Sequence, residues 1–167
     1  MVRDVSPPEF LKETVQMVVE FMECDSCLLY LIEHGELILC ASNSPHPASI
    51  GKLRLKLDEG LTGWVARERR LLAISREAYH DPRFKLFSEL PEDTFEAFLS
   101  APIVSRTGMV GVINVQHREA HAHTGGEMEL LTTVGEQVGC LLELSRAAGQ
   151  GYVELAVPPT AVSTSRY

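Results

Sequence analysis

The sequence contains no apolar run approaching the roughly 20 residues that cross a bilayer, so no transmembrane helix and no membrane partner are expected. Its first residues, Met1-Val2-Arg3-Asp4, lack the apolar stretch of a secretory signal, which gives a cytoplasmic reading. Cysteine is scarce: four in 167 residues, without an export signal, read as free thiols rather than a disulfide framework. Positive charge is also short. Lys and Arg number 15 against 23 Asp and Glu, for a net charge of −8. Phosphate binding needs a positive footprint, so the balance argues against a general nucleic-acid binder, though not against a local basic patch. Also missing are a nucleophile elbow, a dinucleotide fingerprint and a phosphate loop, so no motif points to an enzyme.

What is present is the composition of a globule, with 45% hydrophobic and 23% charged residues. The length suits one domain with a short tail and a sizeable core. Ser6-Pro7-Pro8-Glu9 predicts a helix start, with Ser6 as N-cap, Pro7 at the first helical position and Glu9 closing a capping box. The helix runs to about Glu23. Leu11, Val15, Val18 and Met22 form one apolar stripe; Phe10, Met17 and Phe21 form another. A helix resting on a sheet needs one stripe. The second predicts a further buried contact, with another helix or another chain.

Strands are expected at Cys27 to Ile32 and Leu37 to Ala41, joined near His34-Gly35. Ser42 to Ser49 reads as a loop. Lys52 to Leu57 alternates as a half-buried strand, and Asp58-Glu59-Gly60 turns the chain into a short helix over Leu61 to Arg69. Leu71 to Ile74 is a short strand. Asp81-Pro82 predicts a helix start, with the helix ending at Leu90 before Pro91. Phe98 to Val104 and Met109 to His117 are long strands around Arg106-Thr107-Gly108. Thr124-Gly125-Gly126-Glu127 is a second capping box, opening a helix to about Ala148 with Leu131, Val134, Val138, Leu141 and Leu142 on one face. The domain is set at residues 6–148, and 149–167, with Pro158-Pro159 and a Ser/Thr run, reads as a flexible tail or linker. Hairpin-linked strands between terminal helices give an α+β fold with an antiparallel sheet. The terminal helices pack on one face, and the short helices cover the other, where a pocket can form.

Four segments in this order resemble a GAF domain: Asp58 to Ala66 (DEGLTGWVA), His80 to Phe84 (HDPRF), Ala101 to Val104 (APIV) and Gly111 to Val115 (GVINV). Phe95 to Ile103 (FEAFLSAPI) is similar to the N-terminal GAF domain of the nitrogen-system phosphoenolpyruvate-protein phosphotransferases. The phosphotransferase catalytic domains are not expected within this chain. The resemblance implies a GAF/PAS-like fold and a non-catalytic sensory or regulatory role in signal transduction. It implies an unidentified small-molecule ligand, a helix-mediated homodimer, and an output domain that is fused or separate. The alternative is a purely structural dimerisation module with a vestigial pocket. A redox enzyme of the free methionine sulfoxide reductase type is the least favoured. That family resembles this chain at the turn before the small helix but carries a cysteine there, where Thr62 stands. A hydroxyl cannot supply the attacking thiolate. Asn114 followed by Val115 departs from the Asn-Lys pattern of cyclic-nucleotide GAF domains, and residues 75–97 hold no cysteine for a covalent bilin.

The candidate ligand pocket is lined by Leu61, Thr62, Trp64, Phe84, Phe95, Phe98 and Ser100, apolar walls with few polar anchors; the rival reading is a filled core. Gly60 and Gly63 allow a tight turn into a helix whose first amides can hold an anion, or they serve only turning and close packing. Cys24-x-x-Cys27 has redox or half-metal-site spacing but no second pair, which favours buried structural thiols. His117, His121 and His123, with Glu119, cluster in sequence. They fall between a strand end and a helix cap, so a solvated loop is favoured and no metal is expected. His80 could ligate haem, but before Asp-Pro it reads as a turn residue. Lys52, Arg54, Lys56, Arg67, Arg69 and Arg70 form either a patch for an acidic partner or solvated faces. The sequence identifies no cofactor and no catalytic residue.

Overall fold

Alternation along the strands sorts the side chains onto two faces of a single sheet. The computed structural model describes residues 8–43, 50–84 and 95–147. In chain order these form α1 (Glu9–Met22), β1 (Ser26–Glu33), β2 (Glu36–Ser42), β3 (Arg54–Lys56), α2 (Gly60–Glu68), β4 (Leu72–Ile74), a 3-10 turn (Ala78–His80), β5 (Ala97–Ser105), β6 (Gly108–His117) and α3 (Gly125–Ala147). The sheet order is β3-β2-β1-β6-β5-β4, with neighbouring strands antiparallel. The β1–β2 hairpin turns through His34 and Gly35 at φ 53° and 77°. Two successive positive φ values match the right-handed strand twist, and glycine takes the second without strain.

One face carries Leu29, Leu31, Leu99, Ala101, Ile113 and Val115 beneath the buried stripes of α1 and α3. The other carries Leu28, Tyr30, Leu37, Leu39 and Val112 beneath Val65 and Ala66 of α2. The α+β architecture with terminal helices on one face and α2 on the other is therefore as the sequence predicts. Across the sheet, Gly135 and Gly139 bring α3 onto β5. A Cβ at Gly135 would lie 2.6 Å from the Pro102 carbonyl oxygen, and one at Gly139 would run into the Val104 carbonyl.

Several expectations need correction. α1 begins at Glu9 with Pro8 in extended conformation at the N-cap and no side-chain cap, so Glu9 is the first helical residue, not the closing member of a capping box. Ser6 and Pro7 lie outside the described residues. The third strand is confined to Arg54–Lys56; Leu53 and Leu55 are buried, but Leu57 is half-buried in the following turn. Leu141 is 43% exposed, because the glycine pair shifts the buried stripe of α3 toward Leu142 and turns Leu141 outward. After Asp81 the described chain makes a turn to Phe84. The rest of the helix expected through Leu90, most of the loop before residue 50 and the tail at 149–167 lie outside the described residues. The second capping box is reciprocal: Glu127 N donates to Thr124 Oγ1 at 3.0 Å, and Thr124 N donates to Glu127 Oε1 at 2.8 Å.

Candidate functional site

Among the described residues, two clusters of polar side chains stand out below the surface. The first lies between α2 and the sheet. Glu59 N donates to the Lys56 carbonyl at 3.0 Å, and Gly60, at φ 70°, bends the chain into α2. A Cβ at Gly63 would stand 2.6 Å from the Lys56 carbonyl oxygen, so this glycine lets α2 sit tightly on the turn before it. Thr62 then points inward. Asn114 Nδ2 donates to Thr62 Oγ1 at 2.7 Å, and Ser100 Oγ donates to Asn114 Oδ1 at 2.6 Å. Ser100 and Asn114 are direct partners across β5 and β6, which sets them side by side, and all three residues are buried. A buried amide without partners would be costly; here each partner satisfies the next.

Around this polar chain, Leu61, Ala78 and Phe98 form an apolar cluster with half-buried Phe84, Leu72 and Ile74 against it. The structure thus brings together Leu61, Thr62, Phe84, Phe98 and Ser100 of the sequence-derived set. Trp64 packs instead beside the neighbouring cluster of Val65 and Leu55. Two guanidiniums approach its ring, 4.6 Å away at Arg83 and 5.5 Å at Arg70. Phe95 is buried but is not in the Leu61 cluster; the Arg118 guanidinium lies 5.1 Å from its ring. Asp81 fixes Arg83 over Trp64 by accepting from its Nε at 2.8 Å, Nη2 at 2.7 Å and backbone N at 2.9 Å. These hydrogen bonds hold the Asp81 carboxyl below its ordinary range.

Several of the remaining sequence candidates have ordinary partners. His80 is largely exposed, with Nδ1 2.9 Å from Glu77 Oε1. In the basic group, Arg54 meets Glu36 at 3.5 Å and Glu33 at 3.7 Å, and Arg67 meets Glu68 at 3.0 Å. Cys24, Cys27 and Cys40 are buried free thiols, and Cys140 is exposed. Burial pushes Cys24 up to about 11 and Cys40 to about 12, with Cys27 also raised. Protonated thiols of this kind are poor nucleophiles.

The second place is the loop joining β6 to α3. The sequence favoured solvated histidines here, but His117 is buried and His121 and His123 are half-buried. The ring centroids of His117 and His121 stack at 4.1 Å, and His123 lies 5.0 Å from His121 and 5.7 Å from His117. His121 Nε2 is 3.0 Å from both oxygens of Glu127. Burial lowers the His117 imidazole and lowers His123 to about 4. Glu127, the third residue of α3, was visible in the sequence only as a capping residue. Beside the rings opens a cavity of about 360 Å³, bordered by Glu23, Asp25, His117, Glu119 and His121 among others.

Comparison with known proteins concerns the domain as a whole. The family model described as GAF domain matches residues 6–142. The Escherichia coli (strain K12) protein named phosphoenolpyruvate-dependent phosphotransferase system is 28% identical over 127 residues, covering 75% of this chain and 17% of that protein. The chain thus spans about one-sixth of the length of this relative. A solved GAF domain from a phosphoenolpyruvate-protein phosphotransferase of Coxiella burnetii is 29% identical with a TM-score of 0.79, over 84% of each chain. A free methionine-R-sulfoxide reductase of Thermoplasma acidophilum shares the fold at 15% identity, with a TM-score of 0.69 over 89% of this chain and 94% of that one.

Proposed function

The chain belongs to the GAF domain family, and from that premise we propose that it is a non-catalytic sensory module of signal transduction. It binds a small ligand over α2 and regulates an output domain, fused or separate, through a homodimer built on its terminal helices. The carrying observation is the buried chain Thr62–Asn114–Ser100, which joins α2 to two central strands through 2.6 and 2.7 Å hydrogen bonds. A ligand that shifts α2 must shift this chain with it, and β5 and β6 are the strands on which α3 rests. Movement over one face thereby reaches the helices on the other.

A regulatory rather than chemical role has two supports. The Thr62 hydroxyl, at the position where the reductases resemble this chain but carry a thiol, is engaged by Asn114. The three buried thiols are held protonated by their surroundings. The likeness to phosphotransferase GAF domains supports a regulatory input to phosphoryl-transfer chemistry in a longer or separate protein.

Native mass spectrometry of the purified chain tests this reading. A dimer carrying a small-molecule mass that Ser100→Leu abolishes, with the dimer intact, is the expected result. A bare dimer that gains no ligand from a cell extract would instead favour a structural dimerisation module.

A further inference from the structure

We infer that His117, His121 and His123 form a binding site for a divalent transition metal of the zinc class, separate from the α2 face. One ring nitrogen from each residue lies within 4.8 Å of the other two. A tetrahedral ion with metal–nitrogen bonds of about 2.0–2.1 Å needs its ligands about 3.4 Å apart. The His117 and His121 rings are stacked nearly parallel, so His121 must turn out of the stack to aim a lone pair at an ion shared with His117, a side-chain rotation that the 4.8 Å spacing leaves within reach. Three imidazoles suit zinc, copper, nickel or cobalt, whereas magnesium and calcium prefer oxygen.

The lone pairs are waiting rather than engaged. Nδ1 of His117 and both ring nitrogens of His123 are buried without a hydrogen-bond partner. Buried polar atoms are almost always paired, so three orphans in one cluster ask for a missing ligand. The Met22 backbone lies against the His117 ring, and Nδ1 is left unpartnered. Glu127 holds His121 as carboxylates hold metal-bound histidines elsewhere.

The loop is anchored at each end. Arg118 N donates to Asp25 Oδ2 at 2.8 Å, His121 N donates to the Ser75 carbonyl at 2.9 Å, and Thr124 is fixed by the capping box. The loop backbone thus needs little ordering when the ion arrives; the reorganisation falls on the rings. His117 and His121 border the cavity that Glu23, Asp25 and Glu119 also line. Arg118 lines it too, so three carboxylates stand against one guanidinium; the balance favours a cation, and the cavity leaves room for water or a small anion at the open coordination position.

The experiment uses the full chain, stripped with EDTA and titrated with ZnCl2 by calorimetry, with CoCl2 as the spectroscopic probe. One ion per chain is expected. The cobalt complex should show ligand-field bands without a thiolate charge-transfer band, since the cysteines are not ligands. His121→Ala with His123→Ala should weaken binding by about a hundred-fold or more, and Glu127→Gln, which keeps the capping box, by about ten-fold. Circular dichroism of the stripped proteins checks that the variants fold. A wild-type chain that takes up no zinc, a thiolate band in the cobalt spectrum, or unchanged affinity in the folded histidine double variant would each overturn the assignment.

Discussion

Asn114 of β6 donates to Thr62 of α2 across 52 positions of sequence, in a buried hydrogen bond of 2.7 Å. The same amide accepts from Ser100 at 2.6 Å on β5. One side chain therefore ties three elements, and no apolar residue can replace it without orphaning two hydroxyls. Asn114→Leu should destabilise the fold by about 1–3 kcal/mol in urea unfolding. Adding Thr62→Val and Ser100→Ala removes the orphans and should recover part of that loss, a non-additivity expected of contacting residues. Strict additivity would mean that the three side chains act independently.

Helix packing gives a sharper contrast. At Gly139 a methyl would meet the Val104 carbonyl, whereas at Gly126 the nearest atom is the Thr124 hydroxyl oxygen at 3.7 Å. Gly139→Ala forces α3 away from β5 and should cost about 3 kcal/mol or more, at the upper end of overpacking penalties. Gly126→Ala should be neutral or stabilise by up to about 1 kcal/mol, since alanine favours helix. Equal melting temperatures for the two variants would contradict this packing.

Legibility followed the range of the interaction. The hairpin at His34-Gly35 and the capping box Thr124–Glu127 were readable because each is decided within four residues. The sheet faces were readable because strand alternation is local too. Leu141 was misassigned because the buried stripe of α3 depends on where Gly135 and Gly139 meet β5, and helical periodicity alone does not say that glycines carry the contact. The partnership of Thr62, Asn114 and Ser100 depends on strand register, which joins residues far apart in sequence. The histidine cluster was half readable. The spacing of His117, His121 and His123 was plain, but its convergence depends on the loop's anchors at Asp25 and Ser75, distant in sequence.

The Asp81–Arg83 pair makes a pH prediction. Hydrogen bonds from Arg83 lower the folded carboxyl below its unfolded value. The pair therefore stabilises fully above the unfolded pKa, and that contribution is lost as pH falls through the folded pKa. Asp81→Asn should lower stability at neutral pH and flatten the acid limb of the stability curve. It should also loosen Arg83 from the only tryptophan, Trp64, 4.6 Å away, which intrinsic fluorescence would register. An acid limb identical to wild type would show that the pair contributes nothing.

The terminal helices raise the last prediction. Phe21 is 73% exposed and Leu144 61%, with Met17 at 38% on α1 and Leu141 at 43% on α3. The first stripe of α1 is already buried against the sheet, and half-buried Phe10 packs on the same core, so the intramolecular demand on these helices is met. Four large apolar side chains on adjacent helices are more than a single chain needs to leave in water. Pairing with a second copy would cover them symmetrically, as a two-fold bundle of four helices does. Sedimentation at micromolar concentration should therefore give a dimer, twice the 18.5 kDa chain mass. Phe21→Glu with Leu144→Glu should give a folded monomer. Both sites are mostly exposed within one chain, so charge there should leave the fold intact while making the paired surface repel its copy. A wild-type monomer would sink the dimer. A double variant that unfolds would place these side chains in the intramolecular core instead, against their exposure.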